Sequence, residues 1–412
     1  LPDTVLLVKN YTAPATNALP FRLLRAVHRR GAQRQRLTRA AQAAFDPFNP
    51  APFPAGEATF QPNPCSPTSG GDALAVNGYP MPLSMTDPTI PKVFQAANQP
   101  TRYRVVNASS DSYLNVGMLA NGQPKKGFKV LARDGVAVNW LDPYKPEYVL
   151  RDNVFLPPSG RVDLYVESSP LPQTIVALAG SGTFCTGYNG INIPARGIVS
   201  ILPPAKKLTG MGLAAVNARA LPKPVARTAA DKFAAAPFSG TKRAVTFTEY
   251  GDGTFYVTLT GTSPQPLPSP FTEQPFWLSK NTSAAPGFYL PEIMVKKNPP
   301  GQDTIEEWYL FNATLQAHAF HIHQLTFVAL ESAFEPQKEQ KVFLDSIALP
   351  AGAITGAIPL PPATPNPNGP LLRPSRTIIK INFTNVDKGT FVYHCHMLAH
   401  EDAGMMGIVT LY

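Results

Sequence analysis

The sequence predicts an all-β protein built as two β-sandwich domains, and three observations carry that reading. Strand-like runs rich in apolar and β-branched residues recur along the chain, each bounded by Gly, Pro, Asn or Asp. Proline is abundant, 46 of 412 residues, while charged residues make up only 15%, a balance that suits short strands joined by Pro-rich loops. No stretch reaches the roughly 18 uninterrupted apolar residues of a membrane helix, so no membrane span is expected.

The first set of strands is read at 4–9, 73–76, 101–106, 128–132, 153–156, 162–166, 174–179 and 197–202. Together they make one sandwich over residues 1–205, interrupted by an insertion at about 13–72. A stretch rich in Ala, Lys and Pro follows and reads as a linker over 206–240. The second set lies at 243–250, 255–260, 304–312, 319–330, 377–382, 391–394 and 407–411, giving a second sandwich over 241–412. Pro-rich loops at 47–67, 264–275 and 350–374 read as surface connections. The chain opens on Leu1 and runs straight into a strand, so a removed upstream segment, with any secretion signal, is expected.

Inside the insertion, residues 21–45 are helix-like: Leu23, Leu24, Val27, Leu37 and Phe45 are interrupted by seven arginines from Arg22 to Arg39. This is a solvated basic helix or a surface for anions. No aromatic residue interleaves with the arginines, which argues against single-stranded nucleic acid as a partner. The net charge of +9 owes much to this segment. Of three cysteines, Cys65 and Cys185 are candidates for one disulfide or are two separate thiols, since geometry is not visible in sequence.

The chemistry is concentrated near the C-terminus. Six of seven histidines fall in two clusters, His318-Ala319-Phe320-His321-Ile322-His323 and His394-Cys395-His396-Met397-Leu398-Ala399-His400, the second followed by Gly404-Met405-Met406. Side chains alternate across a strand. His394 and His396 therefore share one face and Cys395 takes the other; His321 and His323 share a face, and His318 has the opposite parity. The motif has two sides. One offers four imidazoles; the other offers Cys395 and His318, with His400 and Met405 supplied by the following loop. A thiolate, two imidazoles and a distant thioether suit a blue copper centre. Zinc is the rival for Cys and His ligands, and the methionine tips the choice to copper. Met406 competes with Met405 for the axial position. The backbone from Cys395 to its histidine neighbours is a short covalent route between the sides.

These motifs resemble the multicopper oxidases, the family of laccases, bilirubin oxidase and bacterial copper efflux oxidases. The second cluster matches the family pattern His-Cys-His-x₃-His-x₃-Gly-Met in full, and the first matches His-Pro-Phe-His-x-His with Ala319 in place of Pro. Glu306-Glu307-Trp308 with Asn312, Val76-Asn77-Gly78 and Arg161-Val162-Asp163 add weaker likenesses. The resemblance implies two Greek-key cupredoxin domains, corresponding to the family's second and third. It implies that His318, Cys395, His400 and Met405 hold the type 1 copper, that His321 binds the type 2 copper, and that His323, His394 and His396 bind the type 3 pair. Glu401 stands where bacterial relatives place a proton-delivering carboxylate, or is a solvated acid. Asp345, in Phe343-Leu344-Asp345-Ser346-Ile347, resembles a segment near the family's substrate pocket, or serves a turn.

The family's three-copper cluster takes eight histidines, and this sequence supplies four. The remaining histidine, His28, stands alone among arginines and reads as a surface residue. The resemblance therefore implies a further cupredoxin domain, cleaved or on a separate polypeptide, as the source of the other four. The expected activity is laccase-like: one-electron oxidation of phenols, aromatic amines or metal ions, with oxygen reduced to water. The alternative is a mononuclear blue copper electron carrier. Eight scattered methionines, rather than a Met-rich insert, point to organic substrates. The resemblance and the His-Glu-Asp-x-Gly-Met ending imply a bacterial source and an extracytoplasmic, periplasmic or secreted location.

Overall fold

The computed structural model describes residues 3–10, 59–60, 66–67, 74–95, 99–140, 142, 145–180, 191–203, 221–249, 255–263, 292–312, 314, 316–336, 340–355, 371–373, 375–402 and 404–412. The basic segment 21–45, His28, Cys65 and Cys185 lie outside the described residues. The chain divides into two units. The first comprises Leu1–Tyr11, Cys65–Phe238 and Leu325–Ala348; the second comprises Thr12–Pro64, Ser239–Gln324 and Leu349–Tyr412. This division is drawn differently from 1–205 and 241–412, because Leu325–Ala348 groups with the first unit.

In the first unit, strand Asp3–Asn10 runs parallel to Thr101–Asn107 and antiparallel to Leu74–Val76. Thr101–Asn107 pairs with Arg161–Val166, which pairs with Phe128–Arg133, which pairs with Glu147–Arg151. Burial alternates residue by residue along Thr101–Asn107, as a strand with one face on a core requires. The second sheet runs, in order, Val154–Leu156, Leu114–Ala120, Gln173–Leu178, Arg196–Leu202 and Lys92–Phe94. Val8, Val105, Val116, Leu164, Ile175 and Ile198 are fully buried and form the core. Strand Leu114–Ala120 was not expected from the sequence, because Asn115 and Gly117 interrupt its apolar pattern. The glycine is there for space: a Cβ at position 117 would lie 2.8 Å from the Leu178 side chain.

The stretch expected as a linker ends in structure. Helix Ala229–Ala235 is opened by a reciprocal cap in which Thr228 Oγ1 accepts from the Asp231 N–H at 3.0 Å and the Asp231 carboxylate accepts from the Thr228 N–H at 2.8 Å. Asp231 also accepts from the backbone N–H groups of Gln340 and Lys341, at 3.0 and 2.9 Å. One carboxylate thus starts the helix and fastens the segment Leu325–Ala348 to the first unit.

The second unit repeats this plan. Strand Thr241–Glu249 runs parallel to Ile305–Asn312, which pairs antiparallel with Ser375–Asn382. In the facing sheet, Glu292–Val295 runs parallel to Met406–Leu411, which pairs with Gly389–Cys395, which pairs with His318–Ile322. The expected strand 319–330 is two strands, His318–Ile322 and Phe327–Glu331, separated where Gln324 takes a positive φ of 63°. The core holds Trp308, with its ring 6.5 Å from Phe320, 5.6 Å from Tyr393 and 6.2 Å from Phe383. Beneath it lies a buried ion pair. Arg243 Nε and Nη2 donate to Glu306 at 2.6 and 2.7 Å, and the Trp308 indole N–H donates to the same carboxylate at 2.8 Å. Glu306 and Trp308, which the sequence flagged by resemblance, are therefore core partners on one strand face.

Candidate metal centre

Strand Gly389–Cys395 sits between His318–Ile322 and Met406–Leu411, and its register decides which side chains meet. Phe320 lies opposite Cys395, and His321 opposite His394. Directly opposed residues in an antiparallel pair point to the same side. Phe320 and Cys395 therefore face the interior, with His318 two residues earlier on the same side, while His321 and His394 face outward. Past the strand, the His396 N–H donates to Ala319 O at 2.6 Å, holding the chain in line for one more residue. The short helix Leu398–Asp402 then turns His400 back beneath Cys395. Gly404 takes a φ of 103°, a conformation glycine permits, and the chain returns so that the Met405 N–H donates to His400 O and Met405 O accepts from the Cys395 N–H, both at 3.0 Å. Met405 is thereby pinned by its backbone to two of the predicted ligands.

On the interior side, Cys395 Sγ lies 3.7 Å from His318 Nδ1 and 3.6 Å from His400 Nδ1. The two Nδ1 atoms are 2.9 Å apart. All three residues, and Met405, are fully buried. Thiolate and imidazole bonds to a metal of about 2.3 and 2.0 Å, opened by roughly 120°, separate sulfur from nitrogen by about 3.7 Å. The two sulfur–nitrogen distances meet that value. The nitrogen–nitrogen distance is that of a hydrogen bond, so one of the two atoms carries a proton that a bound ion would replace. Burial pushes the Cys395 thiol up to about 12 and His400 down to about 3, and lowers His318 well below its ordinary value, with the neighbouring His400 adding to the effect. A thiol and two neutral imidazoles converge here in a dry interior. A cation would neutralise the thiolate and use both lone pairs.

The outward side gathers the other four imidazoles. Ring centroids of His321 lie 5.1 Å from His323, 5.4 Å from His394 and 5.4 Å from His396, and His394 lies 5.2 Å from His396. His323 is exposed, and His321 and His396 are half-buried, so this face is open. His394 Nδ1 faces two acceptors, Cys395 O at 3.1 Å and Glu401 Oε2 at 3.4 Å. The proton therefore sits on Nδ1, and Nε2 presents its lone pair 3.3 Å from His323 Nε2. Burial, with smaller contributions from His396, His321 and His323, lowers His394 to about 4. His321, His323 and His394 bring one ligand atom each within 4.8 Å of one another. Both sides fit a metal-binding reading, and the main chain of residues 394–396 joins them.

Comparison with known proteins agrees with this geometry. Residues 293–411 match the multicopper oxidase family profile. A multicopper oxidase of rice (Oryza sativa subsp. japonica), LPR1 homolog 5, is 26% identical over an alignment covering 34% of this chain and 26% of the relative. Residues 293–411 belong to the multicopper oxidase family. Among solved structures, a variant of the McoA multicopper oxidase from the hyperthermophile Aquifex aeolicus superposes with a TM-score of 0.53 at 14% identity, covering 100% of this chain and 66% of that one. A bacterial laccase-like multicopper oxidase, CueO from Ochrobactrum sp., gives a TM-score of 0.50 at 15% identity, covering 100% of this chain and 68% of that one. The fold is thus the cupredoxin sandwich of the multicopper oxidases, present twice. The chain spans less than two thirds of the length of the rice and Aquifex relatives.

The two remaining candidate residues expected from sequence fall in different places. Glu401 stands at the edge of the outward histidine face, and burial, followed by Asp402, raises its carboxyl above the ordinary range. Asp345 belongs to the other unit, where Arg161 Nη1 and Nη2 donate to its two oxygens at 2.9 and 2.5 Å and the Ser346 hydroxyl donates at 2.9 Å. Its carboxylate is engaged in a partly buried ion pair. Sequence reasoning missed Thr314, whose Oγ1 lies 2.8 Å from His318 Nε2. A signal for it was present: Asn312 and Thr314 are spaced for a side-chain turn that closes the strand just before the first histidine cluster. Among the described residues no helix is long and apolar enough to cross a membrane.

Proposed function

We propose that this chain forms the electron-accepting part of a laccase-like oxidase, taking single electrons from phenols, aromatic amines or metal ions and passing them to oxygen. The observation that carries the reading is the pairing of a buried Cys395–His318–His400 set with an open four-imidazole face through the backbone of residues 394–396. His318, Cys395, His400 and Met405 would hold a type 1 copper, His321 a type 2 copper, and His323, His394 and His396 a type 3 pair. Copper held by these groups supplies one-electron redox chemistry. The dry interior excludes water from the thiolate, and the Cys395 main chain connects it covalently to the imidazoles outside. Glu401, whose Oε2 lies 3.4 Å from His394 Nδ1, would hand protons to the outward face in this reading. The four further imidazoles that a three-copper cluster takes would come from polypeptide outside this sequence, a cleaved or separate cupredoxin domain. Organic reductants and an extracytoplasmic setting complete the reading.

The second reading, a mononuclear blue copper carrier, is favoured by one observation: among the described residues the interior set is gathered by this chain, whereas the outward face offers four imidazoles. Copper counting with optical and electron paramagnetic resonance spectroscopy separates the two. One copper per chain, a thiolate band and no oxygen consumption mean the carrier; additional copper signals and oxygen uptake, with the missing imidazoles supplied, mean the oxidase. Cys395→Ser is expected to abolish the blue absorption. Survival of that colour would sink the interior assignment in both readings.

A further inference from the structure

Strand Ile305–Asn312 ends on a fully buried asparagine, and its side-chain orientation is decided by three partners. Nδ2 faces two carbonyls, Gln316 O at 2.6 Å and Pro350 O at 2.8 Å. Oδ1 faces the Thr314 N–H at 2.9 Å. Exchanging the amide nitrogen and oxygen would set acceptor against acceptor twice and donor against donor once, so the assignment stands on chemistry. Asn312 Oδ1 then accepts only. Thr314 Oγ1 lies 2.8 Å from that oxygen, 3.0 Å from Gln316 O and 3.2 Å from the Gln316 N–H.

A hydroxyl has one proton and two lone pairs. If Thr314 donated to His318 Nε2, its lone pairs would face Asn312 Oδ1 and Gln316 O, two acceptors with no proton between. Donation to Asn312 Oδ1 or Gln316 O removes that conflict. It leaves the lone pairs of Oγ1 for the Gln316 N–H and for His318 Nε2, 2.8 Å away. The imidazole must then bring the proton to that contact.

We infer that Thr314, itself oriented by Asn312, is a positioning residue that holds His318 as the tautomer protonated at Nε2, so that Nδ1 is presented as a bare lone pair toward Cys395 Sγ and His400 Nδ1. The inference rests on the copper reading above only for its use; the tautomer is a property of the metal-free chain. Its consequence is preorganisation. His318 needs neither proton transfer nor ring rotation to become a ligand, and the one proton between the two Nδ1 atoms belongs to His400. The first unit supports this division of labour. There Asn107 Oδ1 accepts from the Ser109 N–H and hydroxyl at 3.1 and 2.6 Å, and Asn107 Nδ2 donates to Ser112 O and Leu156 O at 2.8 and 3.0 Å. The asparagine corner thus recurs in the first unit, where the strand that follows opens on Leu114, against His318 in the second. The corner belongs to the fold; the hydroxyl-to-imidazole contact is what the second unit adds to it.

The test is nitrogen-15 NMR of the histidine rings in the metal-free full-length chain, with His318 assigned by its loss in His318→Gln. The expected wild-type result is a protonated, pyrrole-type Nε2 and an unprotonated, pyridine-type Nδ1. Thr314→Val keeps the shape and removes the acceptor. It should give a mixture of tautomers and a fall in Cu(I) affinity of about 10–100-fold in chelator competition, and Thr314→Ser should restore both. A wild-type His318 protonated at Nδ1, or a Thr314→Val chain with unchanged ring signals and unchanged affinity, overturns the inference. A wild-type chain that shows the expected tautomer but no thiolate-to-copper band on loading would instead defeat the copper reading and leave the positioning role standing.

Discussion

Replacing Glu306 by leucine tests whether the histidine-bearing sheet rests on a buried charge pair. In the wild type the carboxylate accepts three charge-assisted hydrogen bonds, from Arg243 Nε at 2.6 Å, Arg243 Nη2 at 2.7 Å and Trp308 Nε1 at 2.8 Å. Arg243 and Glu306 are both more than nine-tenths buried, so neither charge has water to fall back on. In Glu306→Leu the guanidinium keeps, among the described residues, Met294 O at 2.8 Å. Breaking one partner of a buried pair costs about 3–5 kcal/mol, because the other charge is left uncompensated. For a unit of this size each kcal/mol moves the midpoint by about 2–4 °C, so the metal-free chain should melt roughly 6–20 °C lower. Calorimetry at neutral pH reads this directly. Removing both charges, in Glu306→Leu with Arg243→Met, should recover most of the loss, since an apolar replacement of similar volume is tolerated. A single variant within about 1 kcal/mol of wild type, or a double variant no better than the single, would refute the reasoning. The stake is functional, because the Trp308 ring packs on Tyr393, the residue before His394.

Two further predictions concern acid and packing. In the metal-free chain His400 and His394 titrate near 3 and 4 instead of 6.5, so the folded state binds fewer protons than the unfolded state below pH 6.5, and stability is lost as pH falls from there. Asp134 opposes this: burial, then the neighbouring Asp345, pushes it up from 3.8 to about 6, so its contribution is present at low pH and lost as pH rises through 6. Asp134→Asn should therefore steepen the loss of stability between pH 6.5 and 4 in denaturant titrations, and a shallower loss would contradict the assignment. Gly407 lies opposite Tyr393, and a Cβ there would overlap the tyrosine ring. Gly407→Ala should cost about 1–3 kcal/mol and broaden the copper-site spectrum; an unchanged melting curve would count against the packing described.

Most strands were legible because a half-buried strand writes itself as alternation, and Thr101–Asn107 does so plainly. What stayed hidden was set by neighbours. Leu114–Ala120 carries a glycine that only the Leu178 side chain explains, and the break at Gln324 depends on a positive φ that no local residue type announced. The division into units was hidden too, since Asp231 fastens Leu325–Ala348 to the first unit through backbone groups distant in sequence.

The doubled topology sharpens the contrast. Both units place a strand after an asparagine corner and pair it with the penultimate strand of the same sheet. Where the second unit sets Cys395 opposite Phe320, the first sets Ala177 opposite Val116. The sequence by itself indicated which histidines share a side and that Cys395 takes the other, because successive side chains of a strand alternate. Only the tertiary structure decided that Cys395, His318 and His400 converge within 3.7 Å, and that Thr314 stands behind His318. Convergence depends on register, on the return of the chain at Gly404 and on a corner closed by Asn312. These are relations between residues far apart along the chain, and periodicity within a single segment carries no trace of them.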